Sequence, residues 1–265
     1  MKELPRLETL LDFTGKRALI TGAGAGIGKA MAHRFAEAGA ALELADMDTD
    51  ALARVKTELS AFGGEIHSHT IDLRYKEQIH RLWHSLETRL PDVLINNAGM
   101  YPFKKFTEMD FDLYTRVMDV NLNAVYWMCH EMITRRRKQG GVIINIGSIE
   151  AVLPFKADMA HYSVSKAGVV ALTRSLAKEY AGHGFRVNAL LPGGIVTSGT
   201  KRAAKQVLSL DVGLVKTGIE FMQRLPAGRL GQPDEVARMA LVLASDLASY
   251  MHGAAVPVDG GFLSA

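Results

Sequence analysis

The chain contains a single cysteine, Cys129, in 265 residues. A lone thiol closes no internal disulfide and builds no thiolate zinc site, so a reducing compartment is expected. Apolar runs long enough to cross a bilayer, roughly 20 residues, are missing. The segment from Met1 to Gly15 carries Lys2, Glu3, Arg6, Glu8 and Asp12 and lacks the apolar centre of a secretory signal. Charge of one sign is also scarce. The 31 Lys and Arg nearly balance 28 Asp and Glu, for a net +3, and the cations are dispersed, which excludes a nucleic-acid footprint. The nine histidines show no H-E-x-x-H or related spacing, so no metal is expected. Repeats, low-complexity tracts and Pro/Ser-rich linkers are absent too. With 48% hydrophobic and 22% charged residues, the expectation is one soluble, cytoplasmic globular domain over residues 1–265, with no membrane partner.

What is present is alternation. Short apolar runs read as strands at Arg17–Thr21, Ala41–Ala45, Ile66–Ile71, Val93–Asn96, Val142–Ile146, Arg186–Leu191 and Ala254–Val258. Between them, helical periodicity covers Gly26–Ala38, Asp50–Phe62, Lys76–Leu90, Phe111–Lys138, Asp158–Tyr180 and Pro233–Ala244. Strand and helix in turn imply right-handed βαβ units. The fold class is α/β, a single-domain Rossmann-type doubly wound parallel sheet with helices on both faces. Ligands of such sheets sit beyond the carboxyl ends of the strands, so the chemistry is sought just after each strand.

After the first strand comes Thr21-Gly22-Ala23-Gly24-Ala25-Gly26-Ile27-Gly28. Glycines here let the backbone turn tightly and approach a pyrophosphate, and the helix that follows aims free N–H groups at it. The same turn alone is also an ordinary strand–helix connection; its place after strand one and before helix one favours a dinucleotide. No Lys-Ser/Thr follows, which disfavours phosphoryl transfer. Asp46 lies 18 residues beyond Gly28, where an acidic residue binds the adenosine ribose. Ala25 and Met47 supply no cation for a 2′-phosphate, so NAD is preferred over NADP. A helix cap is the other use for Asp46, but Asp48 and Asp50 can serve there. Asp72 follows strand three and either contacts adenine or closes a surface turn.

Tyr162 and Lys166 are four apart and share a helix face. A phenol of pKa about 10 is a poor base; a neighbouring ammonium lowers it. A tyrosine so tuned carries a proton to or from a carbinol oxygen. Ser148, just after strand five, either hydrogen-bonds the substrate oxygen and the phenol or caps a turn. Asn97-Ala98-Gly99 follow strand four and either line the ribose and phosphates or form an Asx turn. Asn121 falls inside a long helix, where asparagine is a mediocre former; it either faces solvent or distorts the helix so that a carbonyl holds a water near Lys166. His161 is turned about 100° from Tyr162 and reads as pocket edge or surface. The run Arg135–Lys138 suits a helix C-terminus.

Taken together, Thr21-Gly22-x-x-x-Gly26-x-Gly28, Asn97-Ala98-Gly99, Asn121, Ser148, Tyr162-x-x-x-Lys166 and Pro192-Gly193 with Thr197 resemble the short-chain dehydrogenase/reductase family from Lys16 to Gly261. The resemblance implies a catalytic tetrad of Asn121, Ser148, Tyr162 and Lys166. It implies cofactor contacts from Gly22, Gly26, Ile27, Gly28, Asp46, Asp72, Leu73, Asn97, Ala98, Gly99, Tyr162, Lys166, Pro192, Gly193, Ile195 and Thr197. Ile195 and Thr197 would hold the nicotinamide carboxamide, and Val258–Gly261 would lie near a subunit contact, as in the family's homotetramers. Residues 16–196 would form the cofactor and catalytic core, 197–225 a substrate lid, and 226–265 the closing helix and strand.

The implied reaction is hydride transfer between NAD and a small-molecule secondary alcohol or ketone. The segment Ile149–Phe155 looks more like that of sugar or polyol dehydrogenases than of ketoacyl reductases. Glu150 either accepts hydrogen bonds from extra hydroxyls or is a surface carboxylate. Tyr101, Phe103, Phe155 and Met159 would wall the pocket, and Lys201, Arg202 and Lys205 either attract an anionic substrate or aid solubility. The alternatives are a 3-oxoacyl-[acyl-carrier-protein] reductase, disfavoured by Asp46 and Ala25, and a non-catalytic dinucleotide-sensing scaffold, disfavoured by the complete tetrad.

Overall fold

The computed structural model describes residues 4–197 and 220–265. Seven strands carry the fold: β1 Arg17–Thr21, β2 Ala41–Asp46, β3 Ile66–Thr70, β4 Val93–Asn96, β5 Gly141–Ile146, β6 Phe185–Pro192 and β7 Ala255–Val258. They form one sheet in the order β3-β2-β1-β4-β5-β6-β7, and every pairing is parallel. The order reverses between β1 and β4, so a crevice opens there above the strand ends. Parallel strands covered on both faces must be apolar throughout, and β1, β4 and β5 read ALI, VLI and VIINI.

The helices are α1 Leu7–Leu10, α2 Gly26–Glu37, α3 Thr49–Leu59, α4 Lys76–Ser85, α5 Phe111–Met118, α6 Ala124–Arg136, α7 Ala160–Tyr180 and α8 Pro233–Ala244. Met31 and Phe35 of α2, Leu52 and Val55 of α3, and Val236 and Leu243 of α8 pack one face of the sheet. Trp83 of α4, Met128 and Met132 of α6, and Val169 of α7 pack the other. A third, small cluster of Ile149, Leu225 and Phe262, joined by Phe155 and Phe221, lies outside these two layers.

Three boundaries differ from the sequence reading. The stretch Phe111–Lys138 is not one helix: a π turn at Asp119–Asn123 separates α5 from α6. Leu122 there meets α7 at Gly168, where an added methyl would stand 2.8 Å from Leu122 Cδ2, so the turn lets two helices approach closely. Helix α7 starts at Ala160 because Asp158 adopts φ +63°, a left-handed conformation outside any α-helix. Helix α4 ends at Ser85 and not Leu90; its apolar period continues into Leu86, which is buried in a turn.

The apolar run of β2 hides a charged group. Glu43 is fully buried and pairs with Arg17 Nη1 at 2.7 Å, His69 Nε2 at 2.6 Å and Arg89 Nε at 2.9 Å. Desolvation opposes its charge, but His69 and Arg89 prevail and hold the carboxyl below its usual range.

Candidate active site

The loop after β1 is shaped by glycine where no other residue fits. Gly22 and Gly26 hold φ +64° and +55°, open to glycine at no cost. A methyl on Gly28 would stand 2.1 Å from Gly22 O, so α2 lies against the turn with no room for a side chain. Asn97 fixes the turn from the next strand: its Nδ2 donates to Thr21 O at 3.0 Å and Gly22 O at 3.2 Å. Thr21 Oγ1 in return accepts from the N–H groups of Asn97 and Ala98. The Asn97 amide nitrogen is therefore spent on the turn's shape.

Helix α2 begins at Ala25 with no side-chain cap, whereas Asp48 caps α3 and Asp110 caps α5. Its free N–H groups and positive dipole end face the crevice. Asp46, at the carboxyl end of β2, accepts from Gly24 N–H at 2.8 Å and from Asp48 N–H at 3.1 Å. Each oxygen keeps a lone pair for a ribose hydroxyl. Thr197 hangs over the same turn, its Cγ2 3.3 Å from where a methyl on Gly26 would lie. Gly193 follows β6 with its N–H on Val258 O at 3.1 Å, and Ile195 bridges to Gly231. A glycine turn after β1, an uncapped helix and a carboxylate at the end of β2 fit a dinucleotide cofactor.

Asp72, after β3, pairs with Arg74. Arg74 Nε lies 3.0 Å from both its oxygens, and Nη2 2.5 Å from Oδ2; this pair holds the carboxyl low. The pair closes a part-exposed turn, and Leu73 beside it packs into the core.

Side chains from three elements converge at the ends of β4 and β5. Lys166 is 4% exposed, and its Nζ donates to Ile146 O at 2.8 Å. Burial lowers its pKa to about 8. Asn121 is fully buried at the π turn. Its Oδ1 accepts from Met100 N–H at 2.8 Å, and its Nδ2 donates to Met100 O at 2.8 Å and Ser165 Oγ at 3.1 Å. The helix distortion expected at Asn121 is there; solvent exposure is not. Gly99 leaves the gap between them: a methyl on it would stand 3.4 Å from Asn121 Oδ1 and 3.6 Å from Lys166 Nζ.

Ser148 serves twice. Its oxygen accepts from Glu150 N–H at 3.2 Å, capping a short turn, and its hydroxyl favours the phenolate form of Tyr162. Burial outweighs that influence and pushes the phenol up to about 12, with Glu150 and Tyr101 acting the same way. This corrects the sequence expectation that Lys166 sets the phenol's acidity. Its Nζ, 5.8 Å from the ring centroid, is drawn to Ile146 O, and its own charge is disfavoured by burial.

The pocket walls are partly as expected. Tyr101 meets Tyr162 edge-on at 6.3 Å, Phe155 packs on Phe221 and Phe262, and Met159 is buried. His161 is neither surface nor edge: it is buried, with Nε2 2.8 Å from Pro102 O. Glu150 is not a surface carboxylate, being 4% exposed. Sequence reasoning missed that Lys156 Nζ lies 4.0 Å from the centre of the Phe103 ring. Most of the expected lid, with Lys201, Arg202 and Lys205, lies outside the described residues. Among the described residues no group of three or more His, Cys, Asp or Glu converges to hold a metal, and no helix is long and apolar enough to cross a membrane.

A family model described as enoyl-(acyl carrier protein) reductase matches residues 22–263. The chain is 35% identical over 258 residues to galactitol 2-dehydrogenase (L-tagatose-forming) of Cereibacter sphaeroides, covering 96% of this chain and 97% of that one. It is 34% identical over 254 residues to a 3-oxoacyl-[acyl-carrier-protein] reductase of Chlamydia pneumoniae, covering 95% and 98%. A crystal structure from Beutenbergia cavernae, of a candidate NAD(P)-dependent gluconate 5-dehydrogenase with bound NADP, superposes with TM-score 0.88 at 36% identity, covering 96% and 99%. With the cradle, the ordered motifs and these relatives in agreement, the chain belongs to the short-chain dehydrogenase/reductase family, as a nicotinamide-dependent oxidoreductase acting on hydroxyl groups.

Proposed function

We propose that the protein is an NAD-preferring dehydrogenase of a sugar, polyol or similar secondary alcohol. The observation that carries this reading is the convergence of Tyr162, buried Lys166 and buried Asn121 at the ends of β4 and β5, in a sheet whose first turn fits a dinucleotide. When bound, the oxidised nicotinamide supplies a hydride acceptor and a positive charge beside the phenol. Tyr162 holds the proton that leaves or joins the substrate oxygen. Ser148 orients that oxygen. Lys166, anchored on Ile146 O, holds the nicotinamide ribose, and Asn121 fixes the wall at Met100 along which a water chain would carry the proton outward. Gly22, Gly26, Ile27 and Gly28 bind the phosphates, Asp46 the adenosine ribose, and Ile195 and Thr197 the carboxamide. The Asp46 carboxylate repels a 2′-phosphate, which supports NAD although the Beutenbergia structure holds NADP.

A homotetramer is supported by apolar side chains left exposed on α5 and α6, Phe111, Tyr114 and Tyr126, and a cytoplasmic setting by the buried free thiol of Cys129. The test is a panel of polyols, sugars, hydroxysteroids and β-hydroxy esters, each with NAD and with NADP, followed by absorbance of the reduced cofactor. Turnover of a polyol or sugar with NAD supports the reading. The similarity to an acyl-carrier-protein reductase favours a second one, and reduction of acetoacetyl thioester with NADPH alone would establish that instead.

A further inference from the structure

Glu150 is the buried ionisable group that the reaction above leaves without a task. It sits two residues past Ser148, in the short turn Ile149–Ala151, and is 4% exposed. Its own N–H donates to Ser148 Oγ at 3.2 Å. Its carboxylate reaches α7, where Ser163, the neighbour of Tyr162, donates Oγ–H to Oε2 at 3.0 Å. The main-chain N–H groups of Phe155 and Lys156 face it from the far end of the same loop. Ser148, the loop 149–156 and α7 are thereby joined through one side chain. Oε1 is shielded from solvent, with no hydrogen bond of normal geometry among the described residues. A half-satisfied buried carboxylate costs stability, and the fold nevertheless keeps one beside the phenol.

The charged and titratable groups around this pair come from several elements. Tyr162 faces Lys166 one turn along α7, with Nζ 5.8 Å from the ring centroid. It faces Tyr101 from the segment after β4, with the ring centroids 6.3 Å apart. Glu150 faces Lys156, which itself stacks on Phe103. His161 turns its Nε2 away, to Pro102 O. Burial raises the Glu150 carboxyl and lowers the Lys156 amine. In this apolar setting a negative charge at Glu150 favours the neutral phenol.

We infer that Glu150 is a positioning residue of the reaction centre: joined to Ser163 on the helix of Tyr162 and to Ser148 through its own N–H, it clasps the loop after Ser148 to that helix and sets a buried negative charge near the phenol. The inference rests on the reading of Tyr162 as proton carrier. A phenol held in this way is present as the proton donor over a wider pH range and as the proton acceptor over a narrower one. Glu150 thus moves the pH at which each direction runs fastest and leaves the reaction's equilibrium untouched.

The test needs no substrate. In protein carrying tyrosine labelled with carbon-13 at the ring Cζ, the Tyr162 resonance is assigned by its loss in Tyr162→Phe. Glu150→Gln keeps the shape and removes the charge, and at about pH 11 it is expected to raise the ratio of phenolate to phenol at Tyr162 about tenfold. Glu150→Met removes the charge with an apolar chain of similar length and is expected to raise the ratio in the same way; it decides alone if Glu150→Gln does not fold. An unchanged or lower ratio in whichever of the two variants folds overturns the inference. The acid limb of the alcohol-oxidation pH profile, read on a substrate from the panel, is expected to move to lower pH in Glu150→Gln. A titration that shifts while that limb stays put overturns the inference alone. A Tyr162→Phe variant that keeps its turnover overturns the proton-carrier reading and leaves the titration result standing.

Discussion

The two ends of the site are made of different material. At the phosphate end the backbone does the shaping: positive-φ glycines, an uncapped helix and a close approach of α2 to Gly22. The side chains that support it, Thr21, Asp46 and Asn97, have hydrogen-bond partners. At the chemical end, side chains from the β4 and β5 loops, the π turn and α7 meet in apolar surroundings, and their proton affinities are displaced. Lys166 is pushed down to about 8, Tyr162 up to about 12, and Glu150 up. Glu43, in the same sheet and just as buried, is held down by its arginine and histidine partners. Burial alone therefore does not set a carboxylate; the difference is whether partners arrive. Unpaired titratable groups gathered in one crevice mark the place where stability has been given up for chemistry.

That contrast can be broken at either end. The largest effect is expected for Gly28→Ala, whose methyl would stand 2.1 Å from Gly22 O. Cofactor affinity should fall by at least about 100-fold, and stability by about 3 kcal/mol, read by fluorescence titration and urea unfolding. If cofactor binding survives intact, the cradle is misassigned. At the chemical end, Lys166→Met should do the reverse to stability. The folded protein holds this ammonium near 8 against 10.5 for the free side chain. Between those values the unfolded chain binds more protons, so stability rises with pH across that window, and below it the full cost is felt. The substitution should lower turnover about 100-fold yet stabilise the fold at pH 7 by about 1–3 kcal/mol, a gain that vanishes near pH 10.5. Urea midpoints at both pH values check this; destabilisation at pH 7 would contradict it.

Smaller effects sharpen the cofactor assignment. Asp46→Ala should narrow the preference for NAD over NADP by about 10- to 100-fold in kcat/KM, because it removes the charge that repels a 2′-phosphate. An unchanged ratio refutes the ribose role. Asp72→Asn should alter the cofactor KM by less than about threefold, since Arg74 already holds that carboxylate. A tenfold rise would restore Asp72 to the cofactor site.

How much of this was legible before the structure follows the same division. The strands were read to within a residue or two at each end because buried parallel strands are short apolar runs between glycine and polar stops. The shape of the turn after β1 was legible because its glycines stand together between strand and helix, and the structure brings Asp46 to it through Gly24 N–H. The π turn was half legible: asparagine at 121 signalled a distortion, but the close approach of Leu122 to Gly168 on α7 is a tertiary contact. The Glu43 cluster was invisible, since its partners Arg17, His69 and Arg89 lie far along the chain. The sign of the Tyr162 shift was misread because one-turn proximity to Lys166 is a sequence fact, whereas burial and the nearness of Glu150 are tertiary ones.

The central claim is that the Tyr162 phenol carries the substrate's proton, and its replacement by phenylalanine tests that most directly. With a saturating alcohol from the panel, the rate of reduced-cofactor formation in Tyr162→Phe should fall by about 10²–10⁴-fold, while the dissociation constant for the cofactor changes by less than about threefold. A variant that turns over at the parent rate, or one that loses turnover only in step with cofactor binding, would contradict the account.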